Sequence, residues 1–232
     1  MNSANVFLDR FKIMVGETGI EKINSARIIV FGVGGVGSAL VEFLVRSGTI
    51  NLTIVDFDRV DVTNINRQLV AFQSNVGKVK VDEMEKKLKD INSNIKLKKY
   101  MAKLTSDNID EFNLSGYDII VDCIDDLNAK KALISKANEL DKYILCACGA
   151  GNRYAEIPHF EIADIHKTSY DPIAKILRKY CTENRIKHLE VCYTKQKATK
   201  FDCKIVASVV YYPVNMATVM CARIINKILK NN

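Results

Sequence analysis

Apolar residues in this chain fall into short continuous runs that alternate with amphipathic stretches. Arg27–Phe31 reads Arg-Ile-Ile-Val-Phe and stops at glycines, as a strand buried on both faces does. Residues 36–47 follow with helical spacing and end at Gly48, and residues 52–55 form a second apolar run ending in Asp56-Phe57-Asp58. In Lys80–Ile91, the positions Val81, Met84, Leu88 and Ile91 share one helical stripe, with lysines and acids opposite. The spacing then predicts a strand over 96–104, a capped helical turn over 105–112, a buried strand over 117–124, a helix over 129–140 and a strand over 143–148. Strand and helix in strict alternation predict a doubly wound, mostly parallel α/β sheet with right-handed crossovers and helices on both faces.

The order changes after Gly151. Residues 157–162 and 189–193 read as strands flanking a helix over 172–181, which predicts an antiparallel C-terminal extension. Residues 205–229 are strongly apolar but interrupted by Pro213, Asn215, Arg223, Asn226 and Lys227, so a buried segment leading into a C-terminal helix is expected rather than a membrane span. There is no internal repeat or low-complexity linker. One continuous domain is expected over 1–232, with a nucleotide-binding half at 1–151 and a substrate-side and dimerisation extension at 152–232.

The strand-to-helix junction carries the first chemical signal. Gly32-Val-Gly34-Gly35-Val-Gly37 follows a strand and opens a helix, the context in which G-x-G-x-x-G binds a nucleotide. Such glycines permit a tight turn, close approach of backbone to ligand and close helix–strand packing, and the helix start offers free amides to phosphate. Asp56 lies nineteen residues past Gly37, at the end of the second strand, where a carboxylate can accept hydrogen bonds from a ribose. The fold expected from these features is Rossmann-like. The loop alone admits a dinucleotide as readily as ATP.

Composition changes the picture little. A hydrophobic fraction of 48% and a charged fraction of 26% suit an ordinary globular protein and argue against disorder. Lys and Arg outnumber Asp and Glu by 34 to 27, for a net charge of +7, which is compatible with a polyanionic partner. The seven cysteines are odd in number and lack CxxC spacing, so they read as thiols rather than a disulfide framework. Cys123, Cys146 and Cys148 in particular sit in apolar runs. A reducing, cytoplasmic setting is expected, and the N-terminus lacks the pattern of a signal peptide.

The next segment separates ATP from NAD. It reads Asp58-Arg-Val-Asp-Val-Thr-Asn64-Ile-Asn66-Arg67-Gln68, then Gly77-Lys-Val-Lys80, and later Asp122-Cys-Ile-Asp125-Asp126. These strings resemble the ATP-dependent adenylating superfamily of ubiquitin-activating-like enzymes, which includes the molybdopterin- and thiamine-pathway adenylyltransferases. The resemblance runs from residue 10 to about residue 220. It implies ATP and Mg2+ as cofactors, with a monovalent cation as a further candidate. Arg67 and Lys80 would set two fixed cations on the phosphates, Asn64 would hold a phosphate or ribose oxygen, and Asp125 would hold magnesium. The nucleotide-binding set is then Gly32, Gly34, Gly35, Gly37, Asp56, Asp58, Asn64, Arg67 and Lys80, with Arg67, Lys80 and Asp125 as the catalytic set. Asp122 and Asp126 are weaker candidates, and Asp126 can also be read as a helix cap.

The second half narrows the resemblance. Gly149-Ala-Gly-Asn152, then Ala163-Asp-Ile-His-Lys167-Thr168 and Asp171-Pro172, closely resemble the tRNA threonylcarbamoyladenosine dehydratases. Members of that family use ATP to adenylate the carboxylate of a threonylcarbamoyl group on tRNA. The acyl-adenylate then closes to a cyclic product with release of AMP, and no enzyme nucleophile is needed. The resemblance implies tRNA as substrate and a homodimer. It also implies a sulfur-transfer partner if Cys203 acts as the matching family cysteine, and a nucleotide-site arginine given across the dimer by Arg10. Lys175, Arg178, Lys179, Arg185, Lys187, Lys195, Lys197 and Lys200 are candidates for a phosphate footprint. The alternative is an adenylyltransferase for a small ubiquitin-like sulfur carrier ending in Gly-Gly, although the two CxxC pairs usual in such enzymes are missing.

Overall fold

The structure is a computed structural model that describes residues 3–155, 157–202 and 205–230. Seven strands form one sheet: β1 (Arg27–Phe31), β2 (Asn51–Val55), β3 (Lys96–Tyr100), β4 (Ile119–Asp122), β5 (Ile144–Ala147), β6 (Glu161–Asp164) and β7 (Glu190–Tyr193). Their order is β3-β2-β1-β4-β5-β7-β6, with every neighbouring pair parallel except β6 and β7. The helices are α1 (Asp9–Ser25), α2 (Gly35–Arg46), α3 (Lys80–Ile91), α4 (Leu127–Glu139), α5 (Pro172–Glu183) and α6 (Tyr211–Lys230). This is the doubly wound, Rossmann-like sheet with an antiparallel extension that the alternation predicts.

Residue alternation along a strand explains why both faces needed cover. In β1, Ile28 and Val30 join a core with α2, α3 and α6, whereas Ile29 and Phe31 join a second core with α4 and α5. Helix α2 lies between the sheet and α6, so nearly its whole circumference is buried, including the charged Glu42. Arg46 at 2.8 Å and Lys87 at 2.7 Å neutralise that carboxylate. Helix α6 presents Tyr212, Met216, Met220, Ile224 and Ile228 on one stripe, and Pro213 sits in its first turn, where the missing N–H costs nothing. Among the described residues no helix is long and apolar enough to cross a membrane.

Two strands and one helix differ most from expectation. The last antiparallel strand runs over Glu161–Asp164 rather than 157–162, because Pro158 cannot donate to a ladder and Ile157 is left exposed. Strand β3 stops at Tyr100, and the residues expected to extend it to 104 leave the sheet, taking Ala102 and Leu104 to the wall of a cavity. Helix α1 has no counterpart in the sequence reading. It buries only Gly19, Ile20 and Ile23 and is kinked at Gly16 (φ +74°), so its apolar stripe is too sparse to register as a period.

Candidate active site

Loops leaving the carboxyl ends of β1, β2, β4 and β5 converge where the strand order reverses between β1 and β4, the place where open α/β sheets bind ligands. They enclose a cavity of about 510 Å³. A larger cavity of about 690 Å³ lies at the opposite end of the sheet, lined by Tyr143, Arg185, His188 and Arg223, and holds none of the nucleotide candidates.

The glycine loop has divided duties. Gly32 has φ +88°, and a Cβ there would lie 2.6 Å from the Cys123 carbonyl oxygen, so this position closes the β1–β4 crevice. A Cβ on Gly37 would come within 1.8 Å of the Gly32 carbonyl oxygen, so Gly37 lets the turn fold onto its helix and does not line the cavity. Gly34 and Gly35 do line it, and nothing stands nearer to a Cβ on Gly34 than the Gln68 amide at 3.8 Å. Helix α2 has no side-chain cap, which leaves its first amides open to an anion. Gly37→Ala should therefore displace the loop, lowering the melting temperature by about 2–12 °C and weakening ATP binding. A thermal melt and an ATP titration check it, and wild-type values in both would mean the turn is not held closed.

Asp56 holds this loop in place. Its Oδ2 accepts the Val33 amide at 2.6 Å and its Oδ1 accepts the Asp58 amide at 2.8 Å. Burial pushes its carboxyl up, against the opposing pull of Lys80 and those two amides. Each oxygen accepts only one of these bonds and so keeps a second lone pair, and Asp56 lines the cavity, so a ribose can still be received.

Two cations face the same space in different ways. Lys80 is almost fully buried and donates to Asp58 Oδ2 at 2.8 Å, which makes Asp58 its positioning counter-ion. Arg67 has no carboxylate partner among the described residues. Its Nη1 donates to the Thr63 carbonyl at 2.6 Å and to Asn66 Oδ1 at 3.1 Å, so neutral acceptors hold the guanidinium at the cavity wall. Asn64 is buried and turns its Oδ1 to the Asp61 amide at 3.2 Å, and it lies outside the cavity lining. Its neighbour Gln68 lines the cavity instead, carrying a buried Oε1 with no partner.

The loop after β4 holds Asp125, which is exposed to the cavity and has no partner among the described residues. Asp126 caps α4 through the Asn128 amide at 2.8 Å and the Ala129 amide at 3.1 Å. Asp122 is fully buried and pairs with Lys130 at 3.0 Å. Lys130 also donates to the Ala147 carbonyl at 2.8 Å, tying the ends of β4 and β5 together. The sequence reading overlooked Lys130. Its signal was a lysine set in the stripe shared by Leu133, Ile134 and Ala137. Lys103 was also missed. It lines the cavity with its Nζ 5.6 Å from the Phe57 ring centroid.

Across the crevice, Gly149, Ala150 and Gly151 form the wall after β5. Arg153 is buried behind it, donating to the Gly149 carbonyl at 2.8 Å and pairing with Asp171 Oδ2 at 3.0 Å. Asn152 (φ +56°) exchanges two 2.7 Å bonds with Ala207 and accepts the Thr199 amide at 2.6 Å. Those bonds pin a strap whose Val206 and Ser208 line the cavity.

The remaining candidates separate. Burial pushes the thiols of Cys123, Cys146 and Cys148 up, so they stay protonated and unreactive. Cys203 lies outside the described residues. Of the basic set, Arg178 donates to Thr168, Lys179 pairs with Glu183 and Lys195 with Glu161, while Lys175, Arg185, Lys187, Lys197 and Lys200 have no carboxylate partner among the described residues. Arg10 is exposed on α1 and is not part of the cavity lining.

The chain is similar in sequence and fold to known proteins. The ThiF family matches residues 9–230. A tRNA threonylcarbamoyladenosine dehydratase of Bacillus subtilis is 37% identical over 178 residues, covering 77% of this chain and 70% of the relative. Its Escherichia coli namesake is 32% identical over 209 residues, 90% of this chain and 76% of the relative. The crystal structure of the E. coli tRNA N6-threonylcarbamoyladenosine dehydratase in complex with AMP superposes with a TM-score of 0.91 at 25% identity, covering 99% of this chain and 96% of that one. The chain belongs to the ThiF family and, within it, to the tRNA threonylcarbamoyladenosine dehydratases.

Proposed function

We propose that this protein uses ATP to adenylate the carboxylate of threonylcarbamoyladenosine in tRNA and lets the activated group cyclise, releasing pyrophosphate and then AMP. The observation that carries the reading is one cavity at the sheet's switch point that gathers a glycine loop, the cations Arg67 and Lys80 and the unpaired carboxylate of Asp125. The apolar side, with Phe31, Val55, Ala102, Leu104, Ile124 and Ala129, suits a flat base, and Asp56 suits the adjoining ribose. Open α2 amides with Arg67 and Lys80 suit the phosphates. They would hold the triphosphate in line and neutralise charge as the substrate carboxylate oxygen attacks the α-phosphorus and pyrophosphate leaves.

Magnesium fits the donor set. Mg2+ is usually held by one or two carboxylates plus phosphate oxygens and waters, and Asp125 is such a carboxylate, unpaired and facing the cavity. When bound, the ion would offset charge on the phosphates and the leaving pyrophosphate.

The wall at 149–151 and the strap residues Val206 and Ser208 would enclose the acyl side, where exclusion of water protects the adenylate until the substrate's own group displaces AMP. Residues 152–232 then serve as the substrate-side half, whereas the apolar surface that favours dimerisation lies in the first half. A homodimer is supported by the exposed Phe7, Ile13 and Met14 around the start of α1, beside Arg10. A cytoplasmic location is supported by the buried free thiols.

The test is AMP release in the presence of ATP and Mg2+, comparing threonylcarbamoylated tRNA, unmodified tRNA and a carrier protein ending in Gly-Gly. Release only with the modified tRNA is expected. Release driven by the carrier, with indifference to tRNA, would replace this reading with carrier activation.

A further inference from the structure

Three exposed residues each stand one position along the chain from a single buried arginine behind the cavity wall or from one of its partners, Asp171 and Gln196. Arg153 is 4% exposed. Its Nη2 meets Asp171 Oδ2 at 3.0 Å, its Nη1 meets the Gly149 carbonyl at 2.8 Å and its Nε meets the Gln196 carbonyl at 3.0 Å. One position beyond Arg153 is Tyr154, one before Asp171 is Tyr170, and one beyond Gln196 is Lys197. The hub therefore ties together three separate segments, through the backbone carbonyls of Gly149 and Gln196 and the side chain of Asp171. Tyr154 lies three residues past Gly151, at most about 10 Å of extended chain.

The side chains these segments present share one character. Tyr154 is 79% exposed and Tyr170 is 66% exposed, and the Lys197 ammonium lies 5.8 Å from the Tyr170 ring centroid. Tyr170 also has φ +60°, a left-handed conformation that is costly for a bulky side chain and free for glycine. No core contact offsets that cost, because the ring projects into solvent. Strain held by a buried network and spent on an exposed aromatic points to a ligand for the ring.

We infer that Tyr154 and Tyr170 form a stacking platform for unpaired RNA bases flanking the modified adenosine, with Lys197 and Lys200 taking the adjoining phosphates. The inference rests on the proposed action on tRNA. Single-stranded loops are recognised by aromatic rings that stack on splayed bases, set among cations that follow the backbone. Lys197 and Lys200 are exposed and have no carboxylate partner among the described residues, so their charge is available to phosphate. A protein surface as occupant would leave those lysines without a purpose.

The test compares wild-type enzyme with Tyr154→Ala, Tyr170→Ala and the Phe variants of both. The probe is an anticodon stem-loop RNA carrying threonylcarbamoyladenosine, set beside the same loop sequence closed in a duplex. Each Ala variant should raise KM for the stem-loop about 5- to 150-fold, as loss of one stacked base predicts. The rate at saturating RNA and the affinity for ATP should stay within about twofold of wild type. Phe variants should restore the affinity, and Lys197→Glu should flatten its salt dependence. Equal KM for Ala variants and wild type would overturn the platform. So would conversion of a wild-type dimer to monomer by Tyr154→Ala or Tyr170→Ala, which would make the face a contact between copies. If wild type releases no AMP with any tRNA, the dehydratase reading fails on its own. Direct binding of the stem-loop to the Ala variants still decides the platform.

Discussion

Asp125→Ala is expected to lower kcat by about 10²- to 10³-fold while leaving the melting temperature within a degree or so of wild type. The two halves of that expectation have separate causes. A carboxylate that holds a metal ion against phosphate contributes several kcal/mol to the transition state, and each 1.36 kcal/mol is tenfold in rate. Yet Asp125 is exposed and makes no hydrogen bond or ion pair with the described residues, so the fold loses nothing when it is removed. Steady-state AMP release and a thermal melt on one preparation check both. Asp125→Asn keeps the shape and one acceptor oxygen, so raising Mg2+ should recover part of its activity. Lys80→Met should show no such recovery, because its charge acts without the metal. A fully active Asp125→Ala enzyme would remove the carboxylate from the chemistry.

Lys130→Met is expected to produce the largest loss of stability of any single change at the site. The Asp122–Lys130 pair is fully buried, and cutting one partner leaves the other as an uncompensated charge, which costs about 3–5 kcal/mol. For a chain of this length that lowers the melting temperature by about 6–20 °C. Burial by itself depresses the Lys130 ammonium, but the Asp122 carboxylate more than offsets it and holds the group above its ordinary value of 10.5. A folded value above the unfolded one means that the pair's contribution is complete at neutral pH and is lost only as the pH rises through the folded value. Calorimetry of Lys130→Met and of the double variant Asp122→Leu/Lys130→Met separates the causes. The double variant should recover much of the loss, since no charge is then orphaned. Equal destabilisation in both would attribute the effect to packing instead.

Much of this molecule was legible in its sequence because local and global signals agree. β1 is a run of apolar residues since both its faces are covered, and the glycines after it have no other physical use than turn, approach and packing. Arg67, Lys80, Asp56, Asp58, Asp125 and the glycines at 32, 34 and 35 come together around one cavity, although they span nearly a hundred residues of chain. Gly37 and Asn64 stand behind that lining, where they shape the loops that carry it. What was illegible depends on partners distant in sequence. Lys130 looks like one of three lysines on α4 until Asp122 and the Ala147 carbonyl are found beside it. Arg153 sits in an irregular loop with no period, and only the fold brings Asp171 and Gln196 to it. The strap pinned by Asn152 depends on a left-handed backbone position that no pattern of apolar residues announces.

The most direct test of the account is the mass of the product nucleoside. Enzyme, ATP, Mg2+ and threonylcarbamoylated tRNA are incubated, the tRNA is digested to nucleosides, and the threonylcarbamoyladenosine peak is followed by mass spectrometry. A new nucleoside lighter by one water is expected, formed only with ATP and matched mole for mole by AMP. An unchanged nucleoside from folded enzyme that binds ATP would contradict it.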